Sequence, residues 1–375
     1  MSRSITTNII TADVRCWQPL APRSYYRDNH SAPADSTQPP VVRNRILVGD
    51  ALTRLRQLPS ASVDCVITSP PYFLLRNYGV DDQLGAEANV VTYVAKLVAV
   101  CDEIGRVLKP SGTFWLNLGD SYSRHDRFGT APKSLLLAPE RVLMALAACE
   151  WIVRNKLVWA KPNPMPSSVR DRLSCTWEPL YLLVRSEQYF FDLDAIREAH
   201  TSTRRPSRSG LDTKYGGGRR EWAGPLAGAN DGLARAHAEG RSGHPLGKNP
   251  GDVWTFATAG FRGAHFATFP VRLIERPILV GVPERVCTRC GLAWQRSGSD
   301  LTPTCACAVG WRAGVVLDPF IGAGTVAVAA EQHDRDWLGI ELNPNYAQLA
   351  RARIETERFK RDGRSPPEAE IRRAA

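Results

Sequence analysis

Residues 315–330 read VVLDPFIGAGTVAVAA: a short apolar run closed by an acid, two glycines within three positions, then a stretch of small apolar residues. A buried strand, a tight turn and a close-packed helix account for that order, and Gly322 and Gly324 let the backbone turn sharply beside a ligand. Seven residues on, WLGIELN (337–343) repeats the strand signal and places Glu341 at its end. A carboxylate at the second strand's tip can accept both hydroxyls of a ribose, the logic of adenosine-bearing cofactors on doubly wound sheets. Gly322-x-Gly324-x-x-Ala327 also satisfies a permissive dinucleotide fingerprint, so a nicotinamide-dependent oxidoreductase is a rival on this motif taken alone.

Outward from this unit, strands and helices alternate. Strands are expected at 46–48, 63–68, 113–118, 156–160 and 178–184, and helices at 90–108, 136–149 and 269–280. Apolar Val90, Val94, Leu97, Cys101, Ile104 and Leu108 keep helical spacing, with Lys109-Pro110 and Ser111-Gly112 expected to end that helix in a turn. The fold class is therefore α/β, with a doubly wound, mostly parallel sheet. Residues 1–42 read as a flexible polar arm, and 43–199 and 251–356 as two halves of one domain. Residues 200–250 read as a basic insert and 357–375 as a frayed charged tail.

The 375-residue chain is 43% hydrophobic and 23% charged, with net charge +10 and pI 9.3. A basic protein of ordinary hydrophobicity points to a polyanionic partner. The insert carries ten glycines and nine Lys and Arg against four acids. Within it Arg204, Arg205, Arg208, Arg219 and Arg220 are candidates for following a phosphate backbone. No apolar run reaches the roughly 18 residues of a membrane span, and no signal peptide is evident, so a cytoplasmic, nucleoid-associated protein is expected.

Nine cysteines in such a setting are reduced or metal-bound. Cys287-x2-Cys290 and Cys305-x-Cys307 have the spacing of a small zinc ribbon over 284–312, the alternative being reduced thiols on a loop. Four thiolates leave no open coordination position, so such a zinc would hold structure rather than catalyse.

The stretch TSPPYF (68–73) follows the apolar run VDCVI. A strand ending in Ser-Pro-Pro-aromatic puts a hydroxyl, a carbonyl, two rigid rings and an aromatic at the sheet's carboxyl edge, where open α/β sheets bind ligands. Hydride transfer has no use for that array. An exocyclic amino group on a nucleobase does, because its lone pair is delocalised until acceptors draw its protons. The Ser69 hydroxyl and the Pro70 carbonyl are candidate acceptors, Tyr72 a surface on which the base stacks, and Pro71 part of the rigid frame. A non-catalytic zinc-ribbon DNA-binding protein explains charge and cysteines but leaves TSPPY unused.

Six stretches, DAL (50–52), VDCVITSPPY (63–72), LKPSGTFWLNLGDSY (108–122), WAKPNPMPSSVRDRL (159–173), HFATFP (265–270) and LDPFIGAGT (317–325), together resemble the β class of S-adenosylmethionine-dependent DNA amino-methyltransferases. In that class the catalytic motif precedes the cofactor motif, and the likeness spans about 43–190 and 250–350. The resemblance implies that Asp318, Pro319, Phe320, Gly322, Gly324 and Thr325 line the cofactor loop. Glu341 would hold the ribose and Asp50 the adenine amino group, with Thr68 beside them. His265, Phe266, Phe269 and Pro270 would close over the methionine end. It further implies that Ser69, Pro70, Pro71 and Tyr72 hold a flipped base, that the basic insert recognises the target, and that a cognate restriction endonuclease can accompany a monomeric or homodimeric enzyme.

Several residues keep more than one reading. Asp50 can cap the next helix instead, and His265 and Phe269 can be core residues. Lys161, Asn163 and Arg170 can touch phosphate, shape the pocket floor or belong to a rigid loop, and Asn117 and Asp120 can be turn formers. No Pro-Cys dipeptide occurs, which removes the expected nucleophile of a cytosine C5 enzyme. The resemblance also implies cytosine N4 as the methylated atom, because within that class a serine at the first position of the four-residue motif goes with cytosine N4 and an aspartate with adenine N6, which stays the alternative.

Overall fold

The computed structural model describes residues 42–80, 82–200, 244–258 and 269–363. The arm at 1–41, the five candidate arginines named within the insert, and His265 and Phe266 lie outside the described residues.

The chain runs β1 (Arg45–Val48), α1 (Ala51–Arg56), β2 (Val63–Thr68), α2 (Val90–Val107), β3 (Leu108–Asn117), α3 (Ala138–Ala148), β4 (Ile152–Ala160), β5 (Trp177–Val184) and β6 (Val253–Thr255). It continues through α4 (Val271–Gly281), the short strands β7 (Val286–Cys287), β8 (Gln295–Ser297), β9 (Asp300–Thr302) and β10 (Trp311–Arg312), and then β11 (Val315–Asp318), α5 (Thr325–Gln332), β12 (Asp336–Glu341) and α6 (Pro344–Arg361). One eight-stranded sheet has the order β1-β12-β11-β2-β3-β5-β4-β6. β5 is antiparallel to both its neighbours, and every other pairing in the sheet is parallel.

All six residues of β2 are buried, as a central strand covered on both faces requires. On one face α1, α2 and α3 press Leu55, Leu97, Ile104 and Val142 onto the sheet; on the other α4, α5 and α6 bring Ile274, Val326 and Ile354. The expected doubly wound, mostly parallel architecture is what the structure shows.

Two expectations on local structure are corrected. Lys109–Gly112 is no turn: α2 passes directly into β3, and the segment bulges between the Val63–Leu108 and Cys65–Thr113 pairs. Lys109 is held extended there because its amine reaches Asp64 on the neighbouring strand, at 2.5 Å. The tail does not begin at 357 either. Arg358 pairs with Glu331 at 2.5 Å and Arg361 with Asp334 at 3.0 Å, tying the last turn of α6 to the end of α5.

Gly339, in the middle of β12, shows how closely the glycine loop lies on the sheet. A Cβ there would sit 2.2 Å from Ile321 Cδ1, and the Ile321 amide donates to the Ile340 carbonyl at 3.0 Å. Overpacking of this kind costs about 1–3 kcal/mol. Gly339→Ala is therefore expected to lower the urea or thermal unfolding midpoint by a corresponding amount; an unchanged midpoint would show that the loop is free to move away.

Candidate functional site

Two halves of the chain meet at the carboxyl edge of the sheet. Strand order reverses between β11 and β2, and that switch point opens the crevice in which such sheets bind ligands. Across it Thr68 Oγ1 donates to Asp318 Oδ1 at 2.6 Å, and the Phe320 amide donates to the same oxygen at 3.0 Å. Burial pushes the Asp318 carboxyl up to about 7 despite the Thr68 hydrogen bond, which favours the charged form. Glu341, at the end of β12, accepts from the Gly322 amide at 2.9 Å on one oxygen and from the Asn343 amide at 2.9 Å on the other. Its carboxyl is also raised by burial, with the Asn343 and Gly322 amides opposing. Gly322 and Gly324 adopt φ of +50° and +79°, and Gly324 precedes the first residue of α5, Thr325.

Beside this edge is a cavity of about 330 Å³, the size range of small-ligand sites. Asp50, Ser69, Pro71, Phe269, Asp318, Pro319, Phe320, Gly322, Thr325 and Glu341, all anticipated from sequence, line it. Asp50 does both things open to it: it faces the cavity and caps α1 by accepting from the Thr53 amide at 2.8 Å. Pro270 stands one residue outside, as the N-cap of α4. The sequence reading missed Tyr78 and Tyr346, an edge-to-face pair with ring centroids 6.5 Å apart, and Asn343, whose side-chain Nδ2 donates to the Tyr78 carbonyl at 3.3 Å. The ELNPNY stretch carried a signal for two of them, since Asn-Pro reads as the start of a helix placed directly after Glu341.

The base of the crevice is a network of hydroxyls. Ser69 Oγ lies 3.3 Å from both Tyr72 Oη and Asn117 Oδ1, positioned to donate to either. Tyr72 Oη lies 2.8 Å from Glu178 Oε2 and 3.1 Å from Asn117 Oδ1. The Asn117 amide is oriented by its Nδ2, which donates to the Pro179 carbonyl at 3.0 Å. Burial, and then the Glu178 carboxylate, push the Tyr72 phenol well above its ordinary value, so it stays neutral. The Tyr72 ring rests on Gly119, where a Cβ would lie 2.4 Å from Cε2. The Pro71 carbonyl accepts from Tyr93 Oη at 2.8 Å, whereas no described residue donates to the Pro70 carbonyl. With the Ser69 proton drawn into the network, the serine lone pairs and the Pro70 oxygen remain as acceptors.

Glu178 was not anticipated. It reaches this edge because β5 runs against its neighbours, bringing a strand's first residues to where the others end. Lys161 forms an ion pair with its other oxygen and lies over the Trp159 ring, so its amine is turned toward Glu178. Asn163 accepts from the Thr258 amide at 3.0 Å, and Arg170 is exposed on the irregular stretch between β4 and β5. Asp120 caps the approach to α3 through the Leu137 and Ala138 amides.

At the opposite edge of the sheet, the ligand atoms of Cys287, Cys290, Cys305 and Cys307 lie within 4.8 Å of one another. Four sulfurs at about 2.3 Å from a shared ion would be roughly 3.8 Å apart, so the cluster suits a closed tetrahedral zinc site. The Cys290 and Arg289 amides pull the Cys287 thiol down to about 6, and hydrogen bonding to Cys290 pushes Cys307 up to about 12.

Comparison with known proteins agrees with this geometry. A family model for DNA methylases of the N6/N4 methyltransferase type matches residues 63–352. The type II methyltransferase M.Cfr9I of Citrobacter freundii is 36% identical over 330 residues, covering 82% of this chain and 87% of that protein. M.SmaI of Serratia marcescens is 33% identical over 331 residues, covering 83% and 90%. Among solved structures, the cytosine-N4-specific PvuII DNA methyltransferase shares the fold with a TM-score of 0.52 and 18% identity, covering 87% of this chain and 95% of that one. These likenesses leave no place for a nicotinamide oxidoreductase or a non-catalytic zinc-ribbon protein: the chain belongs to the N6/N4 DNA methylase family, the DNA amino-methyltransferases.

Proposed function

We propose that the protein transfers a methyl group from S-adenosylmethionine to the exocyclic N4 of a cytosine flipped out of duplex DNA. The observation that carries this reading is the Thr68–Asp318 hydrogen bond, which sets Ser69-Pro70-Pro71-Tyr72 against the cavity lined by Asp318, Phe320 and Glu341. Within that cavity Glu341 suits the ribose hydroxyls and Asp50 the adenine amino group. Phe320 and Phe269 supply apolar walls, and His265, Phe266 and Pro270 serve the methionine end. The cofactor supplies an already activated methyl group, so the protein's work is alignment and exclusion of water. Ser69 Oγ and the Pro70 carbonyl accept the two amino protons, which localises the nitrogen lone pair. The Tyr72 ring stacks on the base while its hydroxyl is anchored by Asn117 and Glu178.

Duplex DNA is the partner. Arg170, Asn163 and the insert arginines Arg204, Arg205, Arg208, Arg219 and Arg220 are its phosphate contacts, and Lys161 acts through Glu178. A cognate restriction endonuclease and a cytoplasmic setting fit a type II modification enzyme, and among the described residues no helix is long and apolar enough to cross a membrane. Cys287, Cys290, Cys305 and Cys307 hold a structural zinc ion.

Ser69 favours cytosine N4 over adenine N6. Mass spectrometry of nucleosides from DNA methylated by the protein is expected to show N4-methylcytosine; N6-methyladenine as the sole product would overturn that choice. Loss of the stacking surface is worth about 1–3 kcal/mol, or roughly 5- to 150-fold. Tyr72→Ala is accordingly expected to lower methylation by at least that factor while cofactor binding persists; methylation at the wild-type rate would remove Tyr72 from the base site.

Asp318 makes stability depend on pH. Its carboxyl titrates near 3.8 when unfolded and about 7 when folded, so between those values the folded state holds the extra proton and loses stability as pH rises. In cofactor-free protein, Asp318→Asn is expected to gain on wild type in thermal midpoint as pH climbs from 5 to 8, the difference levelling off above about 7. Parallel curves would mean that Asp318 is ionised throughout.

A further inference from the structure

The edge of the sheet away from the cavity carries its own device. The ribbon at 284–312 is made of strands two or three residues long, and the hydrophobic side chains it buries are Val286 and Cys287. A segment with so little apolar burial needs a staple to hold its shape. Four thiols gathered within 4.8 Å provide one when they share a metal ion.

What the ribbon does for the sheet is visible at Asp64, the second residue of β2 and five positions before Ser69. This carboxylate is 4% exposed, and a charge so buried is costly unless it is paired and hydrogen-bonded. One oxygen takes Lys109 Nζ at 2.5 Å; the other takes the Val315 amide at 2.9 Å and faces Arg312 Nη1 at 3.5 Å. The ribbon places both cations. Lys109 Nζ also donates, at 3.0 Å, to the carbonyl of Gly291, the residue after Cys290, and the Gly291 amide returns to the Cys287 carbonyl at 3.0 Å. Arg312 lies on β10, whose Trp311 pairs with Cys287 on β7. Arg285, between the rings of Trp294 and Trp311 at 5.3 and 4.6 Å, locks the ribbon's aromatic side chains against that pair of strands.

We infer that the zinc-loaded ribbon is a brace for the catalytic strand: it fixes the two cations that neutralise buried Asp64, and so ties metal occupancy to the integrity of β2. The inference rests on the reading of the four cysteines as zinc ligands and is independent of which base is methylated. Four thiolates saturate the ion, so its contribution is mechanical. Loss of the metal frees the Gly291 carbonyl and Arg312, and leaves the Asp64 charge buried among partners no longer held in place.

The test uses full-length protein purified without chelator. Elemental analysis is expected to give about one zinc per chain, released by a mercurial reagent that titrates the thiols. Stripped protein is expected to melt several degrees lower, with faster hydrogen exchange along β2 and β3, and Cys290→Ser to behave like the stripped form. In Lys109→Met the melting temperature is expected to be lower at the start and to fall less on stripping, because one of the two links, the hydrogen-bonded one, is already cut. Should Cys290→Ser fail to fold, the Lys109→Met comparison decides alone. Zinc well below one per chain would overturn the ligand assignment and the brace with it. Zinc at one per chain, with equal melting losses in wild type and Lys109→Met, would overturn the brace and leave the metal site standing. Neither result depends on the methylation assay, whose failure would bear on the proposed function alone.

Discussion

The parallel pairing of β11 with β2 joins parts of the chain some 250 residues apart, through Val316 beside Cys65 and Leu317 beside Val66. Everything at the site follows from that seam. It puts the glycine loop after β11 next to the Ser-Pro-Pro-Tyr loop after β2, and Thr68 and Asp318 close it with a buried hydrogen bond. Because the seam is lateral, the order of the halves along the chain is immaterial: a strand's neighbour is set by pairing, and both loops leave the sheet at the same edge. A family that places its catalytic motif before its cofactor motif therefore loses nothing in the geometry of the crevice.

The antiparallel strand β5 is the second constraint. In a wholly parallel sheet only strand ends and the loops after them reach the carboxyl edge. Reversing one strand adds a strand beginning, and Glu178 arrives by that route opposite Tyr72. The result is a directional network in which Ser69 and Tyr72 give their protons inward, toward Asn117 and the Lys161-paired Glu178. Ser69, which lines the cavity, keeps its oxygen lone pairs as acceptors.

Much of the architecture was legible because local signals and tertiary demands agree. The VVLD strand, its glycine turn and its small-residue helix fall where the pattern puts them, and apolar spacing located α2 within a residue. Motif residues such as Asp318, Gly322 and Glu341 were legible because each serves a backbone need of its own, as a strand end, a positive φ or an amide acceptor. Lys109–Gly112 was misread as a turn because Lys-Pro and Ser-Gly are turn dipeptides; a cross-strand salt bridge overrides them. The end of α6 was misread because charge and proline nearby look like a tail, while the ion pairs that hold it connect residues 27 positions apart.

By itself the sequence determined the elements, their order, and which strand ends carry chemistry, since period, capping and turn residues act over a few positions. Tertiary structure alone decided which ends meet. The reversal of β5 that delivers Glu178, the pairing of Tyr78 with Tyr346, and the bonds from the ribbon through Lys109 to Asp64 all join residues far apart in the chain. Such contacts arise from sheet order and helix packing, which local residue patterns do not encode.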